Sequence, residues 1–127
     1  MKFLQSRFED YISANEKYNL HSELEGVYNN KEQGLQQKRN LIFYGPSGVG
    51  KYTQVLKYIQ PYSHSNLKYE RKIKFNFQNK REFLIKISDI HFEIDMELLG
   101  CNAKLLWNDI YNHILDILSA RQNHTGI

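Results

Sequence analysis

Residues 40–51 read Asn40-Leu41-Ile42-Phe43-Tyr44-Gly45-Pro46-Ser47-Gly48-Val49-Gly50-Lys51. The first five are almost wholly apolar and predict a short strand buried on both faces, as in a parallel sheet. The next seven form Gly45-x4-Gly50-Lys51, a glycine loop that ends on a lysine. Residues 51–59 predict a helix with Val55, Leu56 and Ile59 packed inward, closed by Pro61. Strand, glycine loop and helix in that order are the setting a phosphate-cradling loop requires. The glycines let backbone N–H groups turn toward phosphate oxygens. The helix N-terminus adds partial positive charge, and Lys51 adds a mobile cation. The nucleotide contacts expected from this stretch are Gly45, Pro46, Ser47, Gly48, Val49, Gly50 and Lys51, joined by Tyr52 and Thr53.

The position after the lysine departs from the usual pattern. A serine or threonine normally stands there and ligates Mg²⁺ with a short hydroxyl; here the residue is Tyr52. Its phenol is long and rigid and cannot bring oxygen to the same point. Thr53 lies one residue late, about 100° further round the helix, where an inner phosphate is nearer than the metal. The loop therefore predicts binding of a nucleoside triphosphate or diphosphate, with ATP and GTP both open, more firmly than hydrolysis, with only weak support for Mg²⁺. Hydrolysis also needs a second strand ending in acidic residues. No run of four apolar residues followed by Asp-Glu occurs, and Glu93 and Asp95, the sole candidates, read as solvated or salt-bridged acids.

Around this stretch the chain predicts mixed secondary structure. Phe3, Leu4, Phe8, Tyr11 and Ile12 recur at helical spacing, and a second short helix is expected near 21–29 with Leu24, Val27 and Tyr28 on one side. Residues 29–39 are polar and predict an exposed loop. Beyond the glycine loop, Tyr69, Ile73, Phe75 and Phe77 alternate with polar residues, as do Phe83, Ile85 and Ile87; the short link at 78–80 predicts an antiparallel hairpin. Phe92, Ile94 and Met96 give a third alternation, broken at Gly100. Residues 104–118 predict an amphipathic helix whose apolar side carries Leu106, Trp107, Ile110, Tyr111, Ile114, Ile117 and Leu118. Trp107 and Tyr111 are expected in the core, with stacking on a base as the lesser alternative. The divisions expected are a helical lead-in and polar loop (1–39), a partial nucleotide-binding core (40–118) and a polar tail (119–127).

With 41% apolar and 24% charged residues the chain has a globular composition, not a disordered one. A net charge of +3 neither demands nor opposes a nucleic-acid partner. No apolar run approaches the ~18 residues of a membrane span, and residues 1–7 lack the apolar stretch of a signal peptide. An intracellular, soluble protein without a membrane partner is the expectation. The single cysteine, Cys101, excludes an internal disulfide and reads as a buried or half-buried structural residue. The five histidines share no ligand-like spacing, so no metal site is expected. His91 reads as a strand-end residue with an ordinary hydrogen bond.

The loop at 45–53 resembles that of one small subunit of replication factor C, the eukaryotic sliding-clamp loader, whose pattern Gly-Pro-Ser-Gly-x-Gly-Lys-Lys-Thr also displaces the hydroxyl by one position. His91-x-Glu93-Ile94-Asp95, with Gly100 further on, is similar to that family's His-x-Glu-Val-Asn-Pro-Ser-Asp-x-Gly. Met96, Glu97 and Leu98 depart from the pattern, which implies a divergent member, with a viral one among the readings. The resemblance covers about residues 38–118. It implies ATP or ADP as the nucleotide and an AAA+ fold, that is, a parallel P-loop sheet with flanking helices and a β-hairpin insertion, of which this chain supplies the first part. The second acidic motif, sensor residues, arginine finger, lid and collar of that family are not found, so either a fragment or a shortened gene is expected. The N-terminal 35 residues match the family's lead-in poorly and yield no adenine contacts. By resemblance the partners are other clamp-loader subunits and a sliding clamp, the process is DNA replication, and the place is the nucleus or a viral replication site. Lys68, Arg71, Lys72, Lys74, Lys80, Arg81 and Lys86 make the segment 68–86 basic. A solvated hairpin face is the first reading; DNA contact is the second. Two other classes stay open: a small P-loop nucleoside or nucleotide kinase, and a non-catalytic interaction module from a truncated P-loop protein.

Overall fold

The computed structural model describes residues 6–28, 39–77 and 81–121. Phe3 and Leu4, most of the polar loop (29–38), the hairpin link (78–80) and most of the tail (122–127) lie outside them. The fold is mixed α/β, and the chain divides into two compact units, Met1–Glu70 and Arg71–Ile127.

In the first unit, α1 runs Phe8–Lys17. Its free N-terminal N–H groups are met by two carboxylates: Asp10 accepts from Arg7 N at 2.8 Å, and Glu70 accepts from Phe8 N at 2.8 Å. A 3₁₀ turn at Ser22–Leu24 leads into the single-turn α2, Glu25–Tyr28. The expected helix near 21–29 is thus present in two short pieces, with Tyr28 buried but Val27 exposed. The loop-following helix, α3, spans Lys51–Ile59 as its sequence predicts, burying Leu56 and Ile59. Pro61 lies in the 3₁₀ turn Gln60–Tyr62 that ends it. α1 packs against α3, and Phe8, Ile12, Leu56, Ile59 and Leu67 are the main buried apolar residues of this unit.

The second unit is a sheet with a helix on it. β1 (Arg71–Phe77) and β2 (Arg81–Ile87) form the expected antiparallel hairpin, with Ile73 opposite Ile85 and Phe75 opposite Phe83. The two-residue β3, Phe92–Glu93, pairs antiparallel with β2. The third alternation is cut short because Asp95 leaves the sheet to cap α4 (Met96–Leu99), its carboxylate accepting from Glu97 N at 3.0 Å. Gly100 follows with φ +63°, a backbone angle that favours glycine, and opens a 3₁₀ turn into α5, Ala103–Ser119. Phe75, Phe83, Ile85, Ile87, Leu99, Leu106 and Ile110 make one apolar core, with Ile73, Phe92 and Ile114 against it.

Two sequence expectations need correcting. The first concerns Asn40–Tyr44, which lies in no strand among the described residues. The three described strands pair in the order β1-β2-β3, and none pairs with this stretch. A strand apolar on both faces needs neighbours on each side for its backbone groups and for its side chains. Without them, Ile42 is 93% exposed and Tyr44 97%. The sheet that is present is antiparallel. The second correction concerns α5. Ala103, Leu106, Ile110 and Ile114 form the stripe that meets the sheet, whereas Trp107 (41% exposed) and Tyr111 (51%) lie about 100° round the helix. One sheet face covers one helix stripe, so these two aromatics stay largely outside.

Candidate phosphate-binding site

The glycine loop is shaped by two left-handed residues. Gly48 has φ +78° and Gly50 φ +87°; Gly50 is also the N-cap of α3. A side chain at either position would strain the backbone, which is why the motif holds glycine there. Gly50 O accepts from Gln54 N at 3.1 Å, so helical bonding starts at the loop's last residue. The Lys51 ammonium bends back over the loop and donates to the carbonyls of Gly45 and of Pro46, the latter at 2.9 Å. The cation is therefore held inside the loop's curve, at the N-terminus of a nine-residue helix.

Tyr52 points its ring at α1 instead. It stacks edge-to-face on Tyr11, with centroids 4.7 Å apart and planes at 81°. The residue that replaces the short metal-ligating hydroxyl thus serves to join α3 to α1. Thr53 lines a small cavity of about 140 Å³ together with Gly50, Gln54 and Asn15. Ser47 and Pro46 are exposed on the loop.

A larger cavity of about 360 Å³ opens beside the loop, lined by His21, Leu24, Tyr28, Ile42, Lys51 and Gln54 among others. Two of its lining residues, Tyr28 and Gln54, belong to a polar network. Tyr28 Oη donates to Gln54 Oε1 at 3.1 Å, and Gln54 Nε2 donates to Asn19 Oδ1 at 3.2 Å and to Asn15 Oδ1 at 3.4 Å. Burial, reinforced by the negative charge of Glu23, pushes the Tyr28 phenol above its ordinary pKa, which keeps it a neutral donor. An aromatic row, Phe43–Tyr58–Tyr28, with centroids 6.5 and 5.6 Å apart, ties the residues preceding the loop to α3. His21 reaches the loop itself: its Nε2 lies 2.7 Å from Val49 O. The hydrogen bond to that carbonyl raises the His21 pKa against some desolvation, and Glu23, 3.4 Å from Nδ1, raises it further.

The remaining residues singled out by the sequence lie in the second unit. His91 is buried and bridges two partners, Ser88 Oγ at Nδ1 and Glu93 Oε1 at Nε2, the latter at 2.9 Å. A Ser–His–Glu chain suggests nucleophilic catalysis, but Ser88 Oγ accepts from Ile90 N and His91 N, each at 3.1 Å, and Ser88 is 1% exposed. Its hydroxyl is locked in the turn between β2 and β3 and closed to substrate. Glu93 is mostly buried and paired with His91 rather than solvated. It shares no strand face with Asp95, which is a helix cap. Cys101 is exposed, contrary to expectation, because the 3₁₀ turn it occupies lies outside the apolar core. In the basic segment, Lys68, Arg71, Lys72 and Lys74 are exposed, and Lys74 pairs with Glu82 at 3.5 Å. Lys86 is fully buried, opposite Glu93 in register, and so is no surface cation. Lys80 and the Arg81 side chain lie outside the description.

His21, Tyr28, Asn15, Asn19 and Gln54 were not legible as site residues. His21 is 28 positions from its partner, Val49, with no motif around it. Among the described residues no three of His, Cys, Asp and Glu group closely enough to hold a metal ion, and no helix is long and apolar enough to cross a membrane. No known family, curated protein or solved structure matches the chain.

Proposed function

We propose that this chain binds a nucleotide, ATP or ADP, through residues 45–53, and that it does so as a clamp-loader-like subunit in DNA replication, acting with partner subunits. The observation that carries the reading is the loop: two left-handed glycines, a helix starting at Lys51, and the Lys51 ammonium folded into the curve. In this reading Lys51 leaves the carbonyls of Gly45 and Pro46 for the terminal phosphates. The loop N–H groups take the inner ones. The neighbouring cavity, largely apolar with Tyr28 and Gln54 in its lining, has the character of a pocket for the nucleoside part.

Mg²⁺ fits this residue set poorly. The Tyr52 ring is engaged with Tyr11, and neither Glu93 nor Asp95 is free to complete a metal site. The proposal is therefore binding without hydrolysis by this chain alone. A parallel P-loop sheet is part of the proposal through the resemblance alone, since the described sheet is antiparallel. The clamp-loader assignment, its partner subunits and clamp rest on the residue resemblance at 45–53 and 91–100. DNA would meet Arg71, Lys72 and Lys74. Calorimetric titration with ATP and ADP, with and without Mg²⁺, tests the core of the proposal. Binding that Mg²⁺ hardly changes supports it. Binding that requires Mg²⁺, or steady phosphate release from ATP by the purified chain, counts against it.

A further inference from the structure

We infer that His21 is a positioning residue for the phosphate loop: it holds the Val49–Gly50 peptide so that the Gly50 N–H faces the phosphate. This rests on the phosphate-binding reading above. A carbonyl oxygen can only accept, so the 2.7 Å contact to Val49 O fixes the proton on His21 Nε2. In a planar trans peptide the C=O and N–H point opposite ways. Tethering Val49 O toward His21 therefore turns the Gly50 N–H away from the ring. Gly50 needs such a tether, because glycine at φ +87° has little intrinsic preference for that conformation over others. His21 is in turn anchored by its own backbone, whose N–H donates to Asn19 Oδ1 at 3.0 Å, and Asn19 also accepts from Gln54 of α3. The tether thus links the turn before α2 to both ends of the loop–helix junction.

The ring also carries a titratable charge to the site. Glu23 faces Nδ1 from the same turn, while Lys51 and Tyr28 line the same cavity, and the Glu25–Lys57 pair stands beyond Asn19. The raised pKa means the folded loop favours the imidazolium. The charge-dependent part of this contact's stabilisation is complete below the ordinary histidine pKa and is lost as pH rises through the raised one, while the neutral ring still donates its Nε2–H to Val49 O. A bound phosphate strengthens the preference for the charged ring, so by linkage its affinity rises as pH falls through that range.

The test measures ATP and ADP affinity of the full chain from pH 5.5 to 8 for the wild type, His21→Ala, His21→Gln and Lys51→Ala. Loss of the tether in His21→Ala is expected to weaken binding about three- to tenfold. His21→Gln, whose amide still donates to Val49 O, restores most of it at pH 8 but lacks the wild-type gain at low pH. Comparing the two curves removes the nucleotide's own protonation. Unchanged affinity and an unchanged pH profile in both variants, with Lys51→Ala still defective, overturn the role of His21 alone. Absence of binding in the wild type overturns the phosphate-loop reading and this inference with it. Should His21→Ala fail to fold, His21→Gln and the wild-type pH profile decide the matter.

Discussion

The two units hold their shape by different means. Arg71–Ile127 is organised by burial: one face of a three-stranded sheet and one stripe of α5 close on seven apolar side chains. In Met1–Glu70 the glycine loop is positioned by polar contacts made over long sequence distances. His21 reaches Val49, Tyr28 and Asn15 reach Gln54, and Glu70 caps α1. Burial is non-directional and tolerant of small shifts, whereas a hydrogen bond fixes an angle. On the proposed reading, in which the loop N–H groups aim at phosphate oxygens, the second kind of support is the one the loop needs. The difference also separates substitutions that affect stability from those that affect binding.

The largest effect is expected in the second unit. Ile110→Ala removes a fully buried side chain from the centre of the core. It should destabilise by about 2–5 kcal/mol. The single tryptophan, Trp107, lies on the same helix, so urea unfolding followed by its fluorescence reads this unit directly. A change below about 1 kcal/mol would mean that α5 is not held by this stripe. Next comes Gln54→Leu in the first unit, which keeps the volume but deletes the centre of the polar network and leaves Tyr28 and Asn15 without that partner. A cost of about 1–3 kcal/mol is expected, together with weaker nucleotide binding. If stability falls and binding does not, the network serves the fold alone. Gly50→Ala is smaller in energy, about 1–2 kcal/mol, since a residue with a Cβ is strained at φ +87°. Space is not the obstacle, because the nearest atom to an added Cβ is Leu20 Cδ1 at 4.0 Å. Thermal melts should show a modest decrease, while calorimetry should show a disproportionate loss of affinity. Equal and small effects on both would remove the distinction between the units.

How much of this could be read from the sequence follows the same divide. Local patterns were legible: α3 begins at the lysine of the motif, and the alternation at 71–87 gave the hairpin. Asn40–Tyr44 misled because an apolar run records what a segment could bury, not whether neighbours exist to bury it. Trp107 and Tyr111 misled because an apolar helix side can be broader than the sheet face that covers it. Cys101 misled because a residue's average burial says nothing about a particular turn. The tether by His21 and the Gln54 network were illegible for another reason: their partners lie 26 or more positions away, and no periodicity encodes such a pairing.

The central claim is that the loop at 45–53 captures phosphate through Lys51. Side-by-side calorimetry of the wild type and Lys51→Ala with ATP, each checked for folding by a thermal melt, tests it most directly. The account predicts binding by the wild type and a loss of at least about tenfold in the variant, the scale set by removing a charge-assisted hydrogen bond. Equal affinity in two folded proteins, or no binding by a folded wild type, would contradict it.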